Sequence, residues 1–363
     1  MSLTPFSTAD SVRDQRIQRI EPLVAPDRLL GKLPLSEAQA EVVLGGRSQV
    51  HGVLDGEDDR LLVVVGPCSV HDVEATLEYA SRLAEQAGSH KDDLLVVMRV
   101  YFEKPRTTTG WKGLINDPHL DGSGDVNAGL RKAREVLLGV LSRGLPVGCE
   151  FLDPIIPQYI SDAVSWGAIG ARTVESQIHR QLGSGLSMPV GFKNRTDGNL
   201  QVAVDAVRAA AVPHAFAGVD GTGRPAVHYT RGNQDCHLIL RGGRGAPNYD
   251  AAAVAEALSL LRHVGLPERT MIDLSHDNSG KDAARQSEVA ANVAEQIAAG
   301  AGAIIGAMLE SFLVFGRQDL SGGELTYGQS ITDPCLGWEA TVEVLEGLAA
   351  AVRARRAGRP ARG

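Results

Sequence analysis

Eight residues of this chain stand where chemistry is easiest to do: Cys68, Arg99, Glu150, Arg172, Lys193, Arg241, His276 and Glu310. Each lies at or just past the C-terminal end of a short apolar run. The runs are LLVVVGPCS (61–69), LLVVMRV (94–100), LPVGCEF (145–151), AIGAR (168–172), MPVGFK (188–193), CHLILRGG (236–243), TMIDLSH (270–276) and GAIIGAMLE (302–310). Continuous apolar runs are the mark of parallel strands buried on both faces. Eight of them, separated by helical stretches, predict an α/β fold, a (β/α)8 TIM barrel whose C-terminal mouth carries the active site.

Two kinds of chemistry meet at that mouth. Arg99, Lys104, Arg106, Arg172, Lys193 and Arg241 form a cationic set that would repel itself unless a polyanion sat among its members. The strand ends offer too few carboxylates to pair every cation locally, and arginine forks suit phosphate and carboxylate. Two small phosphorylated substrates, one also a carboxylate, account for the set. Cys68, His276, Glu310 and Asp333 form the second group, drawn from the first, seventh and eighth strand ends and the loop after the eighth. A thiolate, an imidazole and two carboxylates suit one divalent transition ion, Mn²⁺, Fe²⁺, Co²⁺ or Zn²⁺, rather than Ca²⁺. Open coordination would let the ion polarise a substrate carbonyl. GxGxxG is absent, so a dinucleotide site has no support. His71 and His179 fall in loops within reach of substrate, whereas His51, His90, His214, His228 and His263 read as surface or structural residues.

The elements that must position these groups follow from the periodicity. Helices are expected near 72–88, 126–143, 157–166, 176–185, 199–211, 250–264, 281–299 and 337–355. Residues 59–363 form the catalytic barrel, and 1–58 an N-terminal extension that makes oligomer or regulatory contacts. That extension has helical stretches near 10–20 and 36–50, and its IQRIEPLV run carries apolar residues worth burying. Residues 103–125 are too long and polar for a plain βα loop and are expected to close over substrate. Residues 213–232 read as a β-hairpin inserted before barrel strand 6, turning at DGTG.

Bulk properties set the class. With 363 residues, 43% hydrophobic and 22% charged, the chain is that of a globular protein large enough for one barrel plus an extension. The net charge of −8 argues against nucleic-acid partners. No apolar run approaches about 18 residues and no signal-peptide pattern is visible, which implies a cytoplasmic protein with no membrane partner. Four cysteines without CxxC spacing make a disulfide frame unlikely there.

Several blocks together resemble a known family. GPCSVHD (66–72), MRVYFEKPRTTTGWKGLINDP (98–118), EFLDPIIPQY (150–159), WGAIGARTVESQIHR (166–180), PVGFKNRTDG (189–198), DCHLILRGG (235–243), IDLSHDNSGK (272–281) and SITDPCLGWE (330–339) are similar to type I 3-deoxy-D-arabino-heptulosonate 7-phosphate (DAHP) synthases, the amino-acid-regulated branch with an N-terminal extension. The resemblance implies condensation of phosphoenolpyruvate with erythrose 4-phosphate, the first step of the shikimate pathway of aromatic amino-acid biosynthesis. It implies Cys68, His276, Glu310 and Asp333 as ligands of one divalent metal ion, Mn²⁺ in first place. It assigns Arg99, Lys104, Arg172, Lys193 and Arg241 to phosphoenolpyruvate, and Arg106 and Thr107 to the phosphate of the aldose. Lys104, Glu150 and His276 would handle water and protons. A homo-oligomer, dimer or tetramer, is implied. So is an inhibitor pocket for an aromatic amino acid at Pro157, Gln158, Ser187, Phe216 and Gly218, where Gly218 favours tyrosine over phenylalanine. A sister synthase for a longer phosphosugar is the runner-up, opposed by KPRT at 104–107. A catalytically silent sensing subunit is another, opposed by the intact ligand set. The hairpin region 217–232, Arg195 and the stretch RGGRGAPNY depart from the family pattern.

Overall fold

The computed structural model describes residues 12–106, 108–320 and 323–358. Its centre is a closed barrel of eight parallel strands. In chain order these are β1 (Leu61–Gly66), β2 (Leu94–Arg99), β3 (Val147–Glu150), β4 (Trp166–Ile169), β5 (Val190–Lys193), β8 (His237–Leu240), β9 (Thr270–Asp273) and β10 (Ile304–Glu310). All eight are buried throughout, as their unbroken apolar runs require. Between β5 and β8 stands the expected hairpin, β6 (Ala215–Val219) and β7 (Pro225–Tyr229). Its turn is held by Asp220, whose N–H donates to the Arg224 carbonyl and whose side chain accepts from the Thr222 amide.

The barrel interior is filled by complementary sizes. Trp166 is fully buried, and the glycines on the strands either side make room for it. A Cβ at Gly148 would come within 3.1 Å of the indole, and one at Gly191 within 2.9 Å. The indole Nε1–H donates to Nε2 of His237 at 3.2 Å. Burial pushes the His237 imidazole down to about 3, so it stays neutral and can accept that bond.

The shell helices are α3 (Val73–Ser89), α4 (Val126–Leu141), α5 (Pro157–Ile160), α6 (Gln177–Gly185), α7 (Gln201–Ala210), α8 (Ala251–His263), α9 (Arg285–Ala298) and α10 (Trp338–Ala357). Most lie where periodicity put them, and Asp72, Asp125 and Asp250 cap α3, α4 and α8 by accepting a backbone N–H. Two expectations shift. The fourth strand ends at Ile169 rather than 172, because Gly170 opens a turn whose carbonyl accepts from Thr173 and Val174. The helix expected over 157–166 lasts one turn before a 3-10 turn at Ser161–Ala163, since Ser165 must already pair with Val147.

Before the barrel come α1 (Pro26–Lys32) and α2 (Glu37–Asp55). The second starts with a capping box between Ser36 and Gln39. Its Val50, Val53 and Leu54 join Leu62, Leu95, Ile239 and Ile305 in one buried cluster, so this part of the extension plugs the barrel's lower end. The helix expected near 10–20 does not form among the described residues, and 13–25 hold neither helix nor strand. Ile17 is 53% exposed and Ile20 76%. With no surface to bury its apolar side, so short a helix gains too little to repay nucleation.

His51 ties α2 to the barrel by facing Asp235 (Nδ1, 2.9 Å) and Asp55 (Nε2, 3.3 Å). The hydrogen bond to Asp235, then its charge, raise the His51 pKa. Folding therefore favours the protonated ring. The stabilisation is complete below the unfolded value of about 6.5 and is lost as pH rises through the raised folded value. The side chain is half exposed, which holds the effect to at most about 1 kcal/mol. The deficit in thermal stability of His51→Gln should thus be larger at pH 6 than at pH 8.5, and equal deficits at both would contradict the pairing.

Candidate active site

The site is built by register. Gly66 of β1 pairs with Glu310 of β10 where the barrel closes, and Cys68 follows two residues later. The chain after β10 then doubles back through β11 (Val314–Arg317) and β12 (Gln329–Ser330). Backbone bonds from Leu336 N to Glu310 O and from Cys335 N to Gly316 O return Asp333 to the mouth. Donor atoms of Cys68, Glu310 and Asp333 consequently lie within 4.8 Å of one another. His276 stands beside them with Nε2 3.8 Å from Glu310 Oε1. Its φ of +57° is a left-handed conformation that a side-chain-bearing residue seldom adopts, and it sits at the β9 exit. Nδ1 lies 2.9 Å from Asp273 Oδ2, which leaves Nε2 to face Glu310. A carboxylate behind an imidazole is how metal-ligating histidines are commonly oriented.

The electrostatics suit a cation among these groups. Burial, then Glu310, push the Cys68 thiol up to about 11, against the pull of Lys104. Burial works against the Asp333 carboxylate too, yet Lys104, His276 and Lys281 hold it below its ordinary range. Asp273, also buried, is held well down by His276 and Lys193. A soft sulfur, an imidazole nitrogen and carboxylate oxygens together fit a borderline transition ion, which would displace the thiol proton.

Above the donors opens a cavity of about 230 Å³ lined by Arg99, Lys104, Arg106, Glu150, Arg172, Lys193, Arg241, His276 and Asp333. The structure thus gathers every cation singled out in the sequence. Thr107 lies outside the described residues. The expectation that carboxylates would be too few is overturned for three of the six. Arg99 pairs with Glu310 at 2.8 Å, Lys193 with Asp273 at 2.9 Å, and Arg241 with Asp277. Arg99 is also stacked on Tyr101, 3.7 Å from the ring centroid. Asp273 and Asp277 were missed because they lie within or beyond a strand run that already had its polar residue in His276. A carboxylate three residues before that histidine was the available signal. Lys104 instead donates from Nζ to the sulfur of Cys68 at 3.0 Å. Glu150 is 8% exposed, and Gly170 leaves the space it needs, since a Cβ there would lie 2.1 Å from Glu150 Oε1.

A second cavity of about 570 Å³ lies between α5, the end of α6 and the hairpin, and is lined among others by Pro157, Gln158, Ser187, Phe216 and His228. Gly218 is not one of its lining residues. A Cβ there would meet the His228 imidazole at 3.1 Å, and His228 Nε2–H donates to the Val219 carbonyl at 2.9 Å. Space left by the missing side chain is thus filled by His228, which the sequence read as a surface or structural residue.

The family model of the DAHP synthetase I family matches residues 33–346. The chain belongs to that family. It is 57% identical over 344 residues to the Phe-sensitive phospho-2-dehydro-3-deoxyheptonate aldolase of Escherichia coli (strain K12), covering 94% of this chain and 98% of that one. Against the Trp-sensitive enzyme of Enterobacter agglomerans the identity is 54% over 341 residues, covering 94% and 98%. A solved phospho-2-dehydro-3-deoxyheptonate aldolase from Francisella tularensis SCHU S4 superposes with a TM-score of 0.92 at 49% identity, covering 94% of this chain and 99% of the other.

Cys335 is buried against the metal-site candidates, its sulfur 3.4 Å from the Cys68 amide nitrogen. With no ion holding Cys68, a disulfide between these neighbouring cysteines is the expected product of oxidation. Oxidation of the metal-free protein should inactivate it reversibly, with activity returning on addition of thiol, and Cys335→Ser should resist. An unchanged oxidation rate in that variant would refute the pairing.

Proposed function

We propose that this chain condenses phosphoenolpyruvate with erythrose 4-phosphate and releases phosphate, as a metal-dependent DAHP synthase opening the shikimate pathway. The observation that carries the reading is six cations around one cavity directly above a thiol–carboxylate–carboxylate donor cluster. In it, Arg99, Lys104, Arg172, Lys193 and Arg241 hold phosphoenolpyruvate, and Arg106 with Thr107 holds the phosphate of the aldose. Arg99, Lys193 and Arg241 are held by Glu310, Asp273 and Asp277, so they are poised to stabilise developing charge with little reorganisation. Holding both substrates in attack geometry makes a bimolecular step unimolecular. C3 of phosphoenolpyruvate attacks the aldehyde carbon, water adds at C2, and the resulting hemiketal expels phosphate by C–O cleavage. Glu150 and Lys104 manage the water and the protons, assisted by His276. Cys68, His276, Glu310 and Asp333 would hold one divalent ion, Mn²⁺ in first place and Fe²⁺, Co²⁺ or Zn²⁺ otherwise, supplying Lewis-acid polarisation of the aldehyde oxygen.

The decisive assay is phosphate release from the two substrates together. A chelator should abolish it and Mn²⁺ or Co²⁺ should restore it. Cys68→Ala and His276→Ala should lose turnover by orders of magnitude while unfolding at close to the wild-type temperature. Full activity after exhaustive chelation would sink the metal assignment.

The second cavity is assigned to feedback inhibition by an aromatic amino acid. Support comes from Pro157, Gln158, Ser187 and Phe216 sharing one cavity and from the amino-acid sensitivity in the relatives' names. Tyrosine is favoured over phenylalanine on the family pattern at Gly218, which acts on the cavity only through His228, the lining residue packed against it. We assign the protein to the cytoplasm, where thiols such as Cys68 stay reduced; no helix among the described residues is long and apolar enough to cross a membrane. A homo-oligomer, dimer or tetramer, would cover the exposed Ile17, Ile20, Val227 and Tyr229. Inhibition should be strongest with tyrosine, and Gly218→Ser should shift preference toward phenylalanine. Indifference to tyrosine, phenylalanine and tryptophan alike would end this reading.

A further inference from the structure

The segment that brings Lys104 and Arg106 to the cavity begins with a carboxylate the reaction does not use. Glu103 is 4% exposed. Its two oxygens accept from the backbone N–H groups of Leu152, at 3.4 Å, and Asp153, at 3.3 Å. Those amides belong to the stretch leaving Glu150 at the end of β3. His179 holds the same stretch from the other side, its Nε2–H donating to the Leu152 carbonyl at 2.7 Å. One residue on, the Lys104 amide donates to the Lys112 carbonyl. Gly113 packs so closely on Phe102 that a Cβ there would lie 1.9 Å from the Phe102 carbonyl. The base of the segment is therefore fixed, and Glu103 is the side chain joining it to the strand end that bears Glu150.

We propose that Glu103 is a positioning residue, a latch that docks the chain leading to Arg106 onto the exit of β3 and so sets the affinity for the aldose phosphate, while Lys104 is held independently by its bond to the Cys68 sulfur. The latch closes best as a neutral carboxylic acid. The two accepted bonds favour the ionised form, but burial and the neighbouring Asp153 carboxylate outweigh them. The charged groups acting on Glu103 are the carboxylates of Asp153 and Glu150. The Cys149 thiol faces it from β3, pushed above its ordinary range by burial, and His179 is kept toward its neutral form by burial. Burial, then Asp153, push the Glu103 carboxyl up to about 8. A free glutamate ionises near 4.3, so docking favours the proton, and ionisation at alkaline pH works to open the latch. Docking is firm at acid and neutral pH and loosens as pH climbs through about 8.

This rests on assigning the aldose phosphate to Arg106 and Thr107, and the test separates the two ideas. Steady-state constants for both substrates are measured from pH 6 to 9 on the metal-loaded wild type, Glu103→Gln and Glu103→Ala. In the wild type, KM for erythrose 4-phosphate should rise severalfold above pH 8. Glu103→Gln, permanently neutral but able to accept only one of the two amide bonds, should have a KM for erythrose 4-phosphate between those of the wild type and Glu103→Ala at pH 7 and lose that rise. Glu103→Ala should raise KM for erythrose 4-phosphate about tenfold at every pH, with kcat and KM for phosphoenolpyruvate within twofold. Thermal unfolding with phosphoenolpyruvate bound checks that each variant is folded. An active wild type whose alkaline rise persists in Glu103→Gln overturns the latch, as does a Glu103→Ala enzyme that loses kcat and both affinities equally. Absence of product from the wild type would instead defeat the substrate assignment.

Discussion

Everything at the mouth depends on the seam where β1 and β10 close the barrel. Five consecutive pairs, from Leu62 with Gly306 to Gly66 with Glu310, zip the first and last strands together. A shift of one residue would turn Glu310 away from the lumen, because alternate strand residues face opposite sides. That seam sets Cys68 beside a carboxylate about 240 positions away in the chain. Gly306 lets it close: a Cβ there would lie 2.6 Å from the Leu62 carbonyl. The size of one side chain in β10 thus bears on the geometry of the donor cluster.

Charges so deep in a protein need compensation. Isolated ions lose several kcal/mol on leaving water, and paired ones recover it only with good geometry. Here each buried cation finds an anion or a sulfur: Arg99 meets Glu310, Lys193 meets Asp273, and Lys104 meets Cys68. The same partners serve the neighbouring cluster. Glu310 faces Arg99 and His276 together, and Asp273 orients His276 while holding Lys193. Groups for anionic ligands and groups for a cation are therefore one network. Altering either is expected to disturb both.

Away from the mouth the chain adds elements without disturbing the barrel. The hairpin leaves the sheet between β5 and β8, yet those strands still pair directly. It is bound to the extension through the Asp27 amide and the Gly221 carbonyl. Phe216 and His228, opposite one another in the hairpin register, face a cavity whose other wall begins at Pro157, seven residues past Glu150. A wall of that cavity and a carboxylate of the active site thus share one short stretch of chain, the stretch on which Glu103 also rests.

The sequence by itself determined the barrel, its strand runs, the hairpin and the cations at the strand ends. Strands buried on both faces must be continuously apolar, and a charge is tolerated only where such a run stops, so both signals are local. Cys68, His276, Glu310 and Asp333 were legible as candidates for the same reason. What they meet was not legible. The pairing of Arg241 with Asp277, the stack of Arg99 on Tyr101 and the docking of Glu103 on Leu152 and Asp153 are contacts of the folded chain. So is the filling of Gly218's space by His228, across a hairpin whose turn was visible but whose side-chain packing was not. The failed helix near 10–20 has the same cause in reverse: its pattern was helical, but nothing in the described fold buries Ile17 and Ile20. Periodicity records which residues seek burial or exposure. Only the closed barrel, with its register and crossings, decides which partner each one finds.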